Sequence, residues 1–249
     1  MEMTDNLEIY NFSWALYPRR IHIYLAEKKL DIKSREYDPK VEKKWPPPEV
    51  LELNPYGKLP ILKINNENSI TESLAIIHYL EKVFPNPSMI GENAIDYANV
   101  IRLTTMADEA NTILAIWNHN ISPVFQEREL QFKDAGYSGA YHFIKRLDVL
   151  ETAINENHEF IYGNSPTIAD CVTFPLIMFL DEFYDVRLPR RFKKLNSWYE
   201  RFKERDSIIK QNYIEQYPDS LLKLSRGLEK QGDFYLEEIC ERIGKDLLS

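Results

Sequence analysis

The sequence predicts a small mixed α/β unit followed by an all-α bundle, and three observations carry that prediction. Strand-like and helix-like patterns alternate as β-α-β and then β-β-α up to Phe84-Pro85-Asn86-Pro87. Strand patterns all but vanish after that break. Beyond it, apolar residues recur at helical spacing over long stretches, as in a bundle.

Leu7 to Phe12 alternates apolar and polar residues and reads as the first strand, its exit left ambiguous by Tyr10 and Asn11. Pro18 suits a first helical position, and Ile21, Tyr24 and Leu25 then stripe one face of a helix running to Lys29. Ile32 to Tyr37 is the second strand. Pro46-Pro47-Pro48 makes Lys43 to Pro48 a loop, and Glu49 to Leu53 suits one or two helical turns. Leu59 to Ile64 and Ser69 to Thr71 read as strands joined by the turn Asn65-Asn66-Glu67-Asn68. Glu72 to Val83 closes the half as a helix with Leu74, Ile77 and Leu80 on one face. The first two strands need a crossover helix and the last two form a hairpin, so the sheet is expected to be mixed.

In the second half, Ala94 to Trp117 and Ser138 to Asn155 are helical patterns, the latter with Phe143, Leu147, Leu150 and Ile154 on one side. Thr167 with Asp170 three residues on is a variant capping box, and Val172 to Leu180 continues as a nearly all-apolar, buried helix. Its aspartate is thereby read as a folding device. Phe192 to Glu204 is a further helix, and Asp219 to Gln231 and Phe234 to Leu248 are amphipathic stretches expected to cover an apolar face of the bundle, with capping a cleft or thickening a dimer interface as alternatives. The boundaries that follow are 5–85 for the mixed domain, 86–93 for a linker and 94–249 for the helical domain.

A net charge of −8, from 31 basic and 39 acidic residues, argues against a nucleic-acid or anionic-membrane partner. Nowhere do ~20 apolar residues run uninterrupted, as a spanning helix requires. Cys171 and Cys240 have no metal-ligand or redox spacing, so neither a metal site nor a disulfide framework is expected. The acidic start Met1-Glu2-Met3-Thr4-Asp5 lacks the layout of a secretion signal, and a cytoplasmic setting is expected.

The richest stretch is Asn54-Pro55-Tyr56-Gly57-Lys58-Leu59-Pro60-Ile61-Leu62, followed by Thr71-Glu72-Ser73. A proline opening a strand cannot donate to the ladder, and X-Pro is the peptide bond most able to be cis. With Leu59-Pro60 cis, the main-chain groups of Leu59 turn outward to meet another extended backbone. Glu72-Ser73 heads a helix, where exposed N–H groups and the dipole favour a carboxylate. The Ser73 hydroxyl adds a donor and Glu72 suits an ammonium group. Together these residues describe a place to hold a small anionic peptide.

Three elements in this order resemble the cytosolic glutathione transferases: Asn54-Pro55-Tyr56-Gly57-Lys58-Leu59-Pro60, Glu72-Ser73-Leu74-Ala75-Ile76 and Ser165-Pro166-Thr167-Ile168-Ala169-Asp170. The resemblance covers Leu7 to Asp206 and implies a thioredoxin-like domain joined to an all-helical one. Tyr17-Pro18-Arg19-Arg20-Ile21 and Ile23-Tyr24-Leu25-Ala26-Glu27-Lys28 are similar to fungal members. By position, it implies that Leu59, beside cis-Pro60, pairs with the cysteinyl part of glutathione, that Glu72 and Ser73 hold the γ-glutamyl end, and that Lys58 or Lys44 meets the glycyl carboxylate. Trp45, just before three prolines, reads as a loop anchor, with packing beside the peptide as the alternative. The implied activity, of detoxification or secondary metabolism, conjugates the thiolate of glutathione to a small hydrophobic electrophile. That electrophile would lie between the domains of a homodimer subunit, near Met106, Ile113, Trp117 and Phe125, with His119 and His142 as candidate acids or hydrogen-bond donors.

A thiol of ordinary pKa is mostly unreactive at neutral pH, so such an enzyme must stabilise the thiolate. In the family the donor lies between the first strand and first helix and is Ser, Tyr or Cys. Here the usual serine position falls near Ala15, which has no donor. Ser13 is the nearest small hydroxyl and the first choice, Tyr17 the second; Tyr10 and Asn11 are also candidates. No cysteine occurs before Cys171, which disfavours thiol-transferase chemistry. Two alternatives to conjugation remain open at this point: an isomerase, dehalogenase or lyase of the same fold, and a non-catalytic regulatory or scaffold protein that binds glutathione.

Overall fold

A computed structural model describes residues 7–37, 45–65 and 68–246. Two compact units divide between Ile90 and Gly91.

The first unit is built on a four-stranded mixed sheet in the order β2-β1-β3-β4. β1 (Glu8–Asn11) pairs in parallel with β2 (Lys33–Glu36) and antiparallel with β3 (Ile61–Lys63), which pairs antiparallel with β4 (Ser69–Thr71). This is the thioredoxin-like arrangement expected. Edge strand β2 is exposed at every position and carries Lys33, Arg35 and Glu36, charges that discourage pairing with another chain. The strands are shorter than their apolar patterns: β3 begins at Ile61, not Leu59, because Pro60 has no N–H for the ladder. At the hairpin, Ile64 N–H donates to Asn68 O at 2.9 Å, and the Asn65 side chain accepts from Asn68 N–H at 2.8 Å.

α1 (Leu16–Lys28) begins two residues before the expected Pro18. The first turn's amides have no intrahelical partner, so a proline at the third position forfeits no bond, and Arg19 N–H opens the ladder by donating to Ala15 O at 3.1 Å. α2 (Pro48–Leu53) follows the triple proline and α3 (Ser73–Val83) closes the unit. A buried cluster ties α1 to α3. Lys28 Nζ meets Glu81 Oε1 at 2.8 Å, Tyr24 donates to the same oxygen at 2.7 Å, and Met89 N–H donates to Glu81 Oε2 at 3.2 Å. Lys28 also donates to Pro87 O at 2.8 Å, so the chain after α3 is held back on this unit. Removing either partner of such a pair strands a buried charge, at a cost of about 3–5 kcal/mol.

The second unit is helical among its described residues. α4 (Ala94–Ile121) starts at an Asn93 cap whose side chain accepts from Ile95 and Asp96 N–H, and it ends in a 3₁₀ turn, Pro123–Phe125. α5 (Lys133–Ala153) starts five residues before the expected Ser138. Its early turns contain Gly136 and Gly139, poor helix formers that the tertiary packing requires: a Cβ on Gly139 would lie 2.7 Å from Trp117 N. α6 (Ile168–Met178) is buried throughout and passes into a π-helical turn, Phe179–Phe183. α7 (Lys193–Lys203) and α8 (Asp206–Ile209) follow.

The expected capping box is present at α6, and Asp170 does more than cap. Its Oδ2 accepts from Thr167 N–H at 2.8 Å and Thr167 Oγ1 at 2.9 Å. Its Oδ1 accepts from Ile161 N–H at 2.9 Å and Trp198 Nε1 at 2.8 Å. Burial nevertheless pushes the carboxyl up to about 6.

The tail forms α9 (Asp219–Ser225), α10 (Leu228–Gly232) and α11 (Leu236–Asp246). The first expected stretch is thus broken at Arg226-Gly227, where Gly227 N–H donates to Tyr184 O at 2.9 Å. Phe234, between α10 and α11, packs edge-on to Tyr137 with centroids 5.3 Å apart and lies 6.1 Å from Trp117. The tail covers an apolar face of α4 and α5. No helix among the described residues is long and apolar enough to cross a membrane.

Candidate active site

Asn54 builds the turn that leads to the cis proline. Its Nδ2 donates to Lys58 O at 2.9 Å, its Oδ1 accepts from Tyr56 N–H at 3.1 Å, and its carbonyl accepts from Gly57 N–H at 2.8 Å. Gly57 is at φ +62, and a Cβ there would lie 2.5 Å from Pro46 Cγ. Glycine is therefore required on two counts. The Leu59-Pro60 bond is cis. Leu59 lies before β3, and Lys58 is exposed. Lys44 lies outside the described residues.

Glu72 is the N-cap of α3, not its first helical residue, at φ 68 and ψ 119, a conformation unfavourable for a residue with a side chain. Its side chain makes no capping bond and is exposed, while its carbonyl accepts from Ile76 N–H at 3.0 Å. Ser73 is buried, and its Oγ accepts from Arg20 Nη1 at 3.4 Å. Arg20, almost wholly buried on α1, is a member of this end of the site, although the sequence alone assigned it no role there. Two adjacent arginines on a helix face that must pack were the available sign.

The strand-helix turn is organised by aromatic and polar contacts at once. Phe12 stacks on Trp45 with centroids 4.8 Å apart, and both pack, with Leu59, against the buried cluster of Tyr10, Tyr37, Val50 and Ile61. That cluster brings Phe12, next to Ser13, and the Leu59 segment together. Ala15 N–H donates to Phe12 O at 2.9 Å and closes the turn.

Of the four donor candidates, two are taken up elsewhere. Tyr10 is a member of the buried cluster, and its phenol is pushed up by burial. Asn11 is wholly buried, its Nδ2 donating to Glu36 Oε1 at 2.7 Å and also meeting His22 Nε2. Burial lowers the pKa of His22, keeping the ring neutral and able to accept, although Glu36 pulls the other way. Tyr17 is not before the helix but in its first turn, 41% exposed, with the Arg20 guanidinium 4.6 Å from its ring centroid. Ser13 is half-buried, and its Oγ has no hydrogen-bond partner among the described residues, although a loop hydroxyl commonly bonds its own backbone.

Trp117, expected beside the electrophile, is fully buried between Phe143 and Phe234 and belongs to the core of the helical unit. His119 stacks on Phe125 with centroids 3.8 Å apart and binds Glu129 through Nδ1 at 2.9 Å; His142 is exposed. Cys171 is buried, and burial pushes the Cys240 thiol up to about 11, so Cys240 offers no thiolate at neutral pH. No cluster suited to a metal ion occurs among the described residues.

A thioredoxin-like sheet with a cis proline before its third strand and an acidic-serine helix start, followed by a helical unit with a capping box, defines a class of glutathione-dependent proteins. Two family models match the chain, Glutathione S-transferase N-terminal domain over residues 14–83 and C-terminal domain over residues 119–234. The chain belongs to the glutathione S-transferase family. It is similar to Glutathione S-transferase 2 of Saccharomyces cerevisiae, with 24% identity over 223 residues, 84% of this chain and 91% of that one. A probable maleylacetoacetate isomerase of Caenorhabditis elegans is 29% identical over 182 residues, 70% of this chain and 79% of its own. The fold matches the crystal structure of Gtt2 from Saccharomyces cerevisiae with a TM-score of 0.70 at 22% identity, over 82% of this chain and 99% of that one. The similarity to a yeast relative is consistent with a fungal-type member.

Proposed function

We propose that the protein is a glutathione transferase in which the Ser13 hydroxyl stabilises the thiolate of bound glutathione. The observation that carries this reading is the unengaged, half-buried Ser13 Oγ in the turn leading into α1. A hydroxyl near the N-terminal end of that helix favours the anion over the thiol, with the helix dipole acting in the same direction. Pro18 removes one amide from the first turn, which increases the need for a side-chain donor.

In this reading the main chain of Leu59, beside Pro60, pairs with the cysteinyl residue. Glu72 and Ser73 take the γ-glutamyl end, and Lys58 or Lys44 takes the glycyl carboxylate. The thiolate then attacks an electrophilic carbon of a hydrophobic co-substrate: the S–C bond forms and the leaving group departs with its bonding pair. Holding the tripeptide in place supplies orientation that a free thiol lacks. The reading includes a homodimer in the cytoplasm.

Similarity to the Caenorhabditis elegans relative supports a second reading, glutathione-dependent isomerisation, in which the thiolate adds to a conjugated double bond and is expelled after rotation. Both need the same thiolate. The test is the wild-type chain and Ser13→Ala on immobilised glutathione, with turnover of an aromatic halide and of a cis-enedione. Both proteins should be retained, while Ser13→Ala should lose about 10²-fold or more in turnover. An unchanged rate in Ser13→Ala with loss in Tyr17→Phe would transfer the role to Tyr17. Retention without turnover of any electrophile would favour a non-catalytic glutathione-binding protein.

A further inference from the structure

Ser13 is gripped through its main chain from two sides by charged side chains that belong to other elements. Glu36, the last residue of β2, accepts Ser13 N–H on Oε2 at 3.1 Å. Arg19, wholly buried on α1, donates from Nε to Ser13 O at 3.3 Å. The second oxygen of Glu36 accepts from Asn11 Nδ2 and from Ser34 Oγ, each at 2.7 Å. One carboxylate therefore ties the turn to the end of β1 and to β2, and it needs both oxygens as acceptors. A glutamine would present one oxygen and one NH₂, and would set donor against donor on one side.

We propose that Glu36 and Arg19 are positioning residues that fix the direction of the Ser13 hydroxyl, and through it the ionisation of a thiol bound there. The inference rests on the reading of Ser13 as the thiolate donor. Its sign separates it from a simple charge effect. A carboxylate near the site would by its charge alone oppose a thiolate, so neutralising it would lower the thiol pKa. Releasing the Ser13 main chain would weaken the hydroxyl's bond to the anion and raise it.

The experiment is a double-mutant cycle in the full chain with glutathione as probe. The thiolate of the bound peptide is followed by its ultraviolet absorbance against pH in wild type, Ser13→Ala, Glu36→Gln and the double variant, with glutathione affinity measured in parallel. Ser13→Ala should raise the bound thiol pKa by about one to two units, the equivalent of a hydrogen bond to an anion. Glu36→Gln should raise it by about one unit in the wild-type background, whereas in Ser13→Ala, where only the lost charge acts, it should leave it unmoved or lower it. A fall or no change in Glu36→Gln, with Ser13→Ala raised, would overturn the positioning role and leave the donor reading standing. No shift in Ser13→Ala would remove the donor reading and the positioning role with it. Should Glu36→Gln lose glutathione, Glu36→Asp, which keeps both oxygens but shortens the reach, is read by the same sign.

Discussion

At the scale of single residues, the turn before the cis proline shows how tightly the site is specified. Gly57 meets two constraints, a left-handed φ and the Pro46 ring, whereas Gly163 has a comparable φ of +75 and nothing within 4 Å of its missing Cβ. Gly57→Ala should therefore cost about 1–3 kcal/mol, and Gly163→Ala less, because only the first adds overpacking to backbone strain. Urea unfolding midpoints of the two variants check this, and equal losses would remove the Pro46 contact from the account. Position 57 was legible in the sequence as part of a turn. That its neighbour would be Pro46, eleven residues earlier, was not. The same limit applies at the strand-helix turn. Ser13 stood out as a hydroxyl in the right interval, but Glu36 and Arg19 acquire their roles only when β2 pairs with β1 and α1 lies beside the turn.

At the scale of elements, Asp170 is the joint of the helical unit, receiving donors from the loop before α6, from the α6 cap and from α7. Asp170→Ala would leave these buried donors unsatisfied and should destabilise the protein by about 3–5 kcal/mol. The pH dependence has a definite sign. Because burial raises the folded pKa from 3.8 to about 6, the group's contribution is fully present below pH 3.8 and is lost as pH rises through about 6. The stability gap between wild type and Asp170→Ala, from urea titrations, should widen by about 1.4 kcal/mol per pH unit as pH falls from 6 towards 4. A gap that narrows over this range would mean that the four donors outweigh burial. The Thr167–Asp170 box was readable because capping is local, three residues apart. Trp198 as a further donor was not, since it comes from another helix. The early start of α5 was hidden for a related reason: Gly136 and Gly139 weaken an isolated helix, yet close packing against α4 selects them.

At the scale of the whole molecule, the catalytic reading draws on the mixed unit, while the helical unit extends past the matched family region, which ends at residue 234. That residue is Phe234, and it seats the tail against Trp117 and Tyr137. If the tail is integral to the fold, Phe234→Ala should cost about 3–5 kcal/mol, the range for truncating a buried aromatic side chain. A calorimetric melt that is unchanged in this variant would make the tail an appendage. By itself the sequence determined the order of elements, the cis-proline turn, the helix start at Glu72-Ser73 and the α6 cap, because periodicity, proline chemistry and capping act over a few residues. Only the tertiary structure decided which candidate hydroxyl is left unengaged, that Arg20 backs Ser73, that Trp117 is core, and that Glu36 and Arg19 hold Ser13. Those outcomes depend on which distant side chains burial forces to share polar partners, and no local pattern encodes that choice.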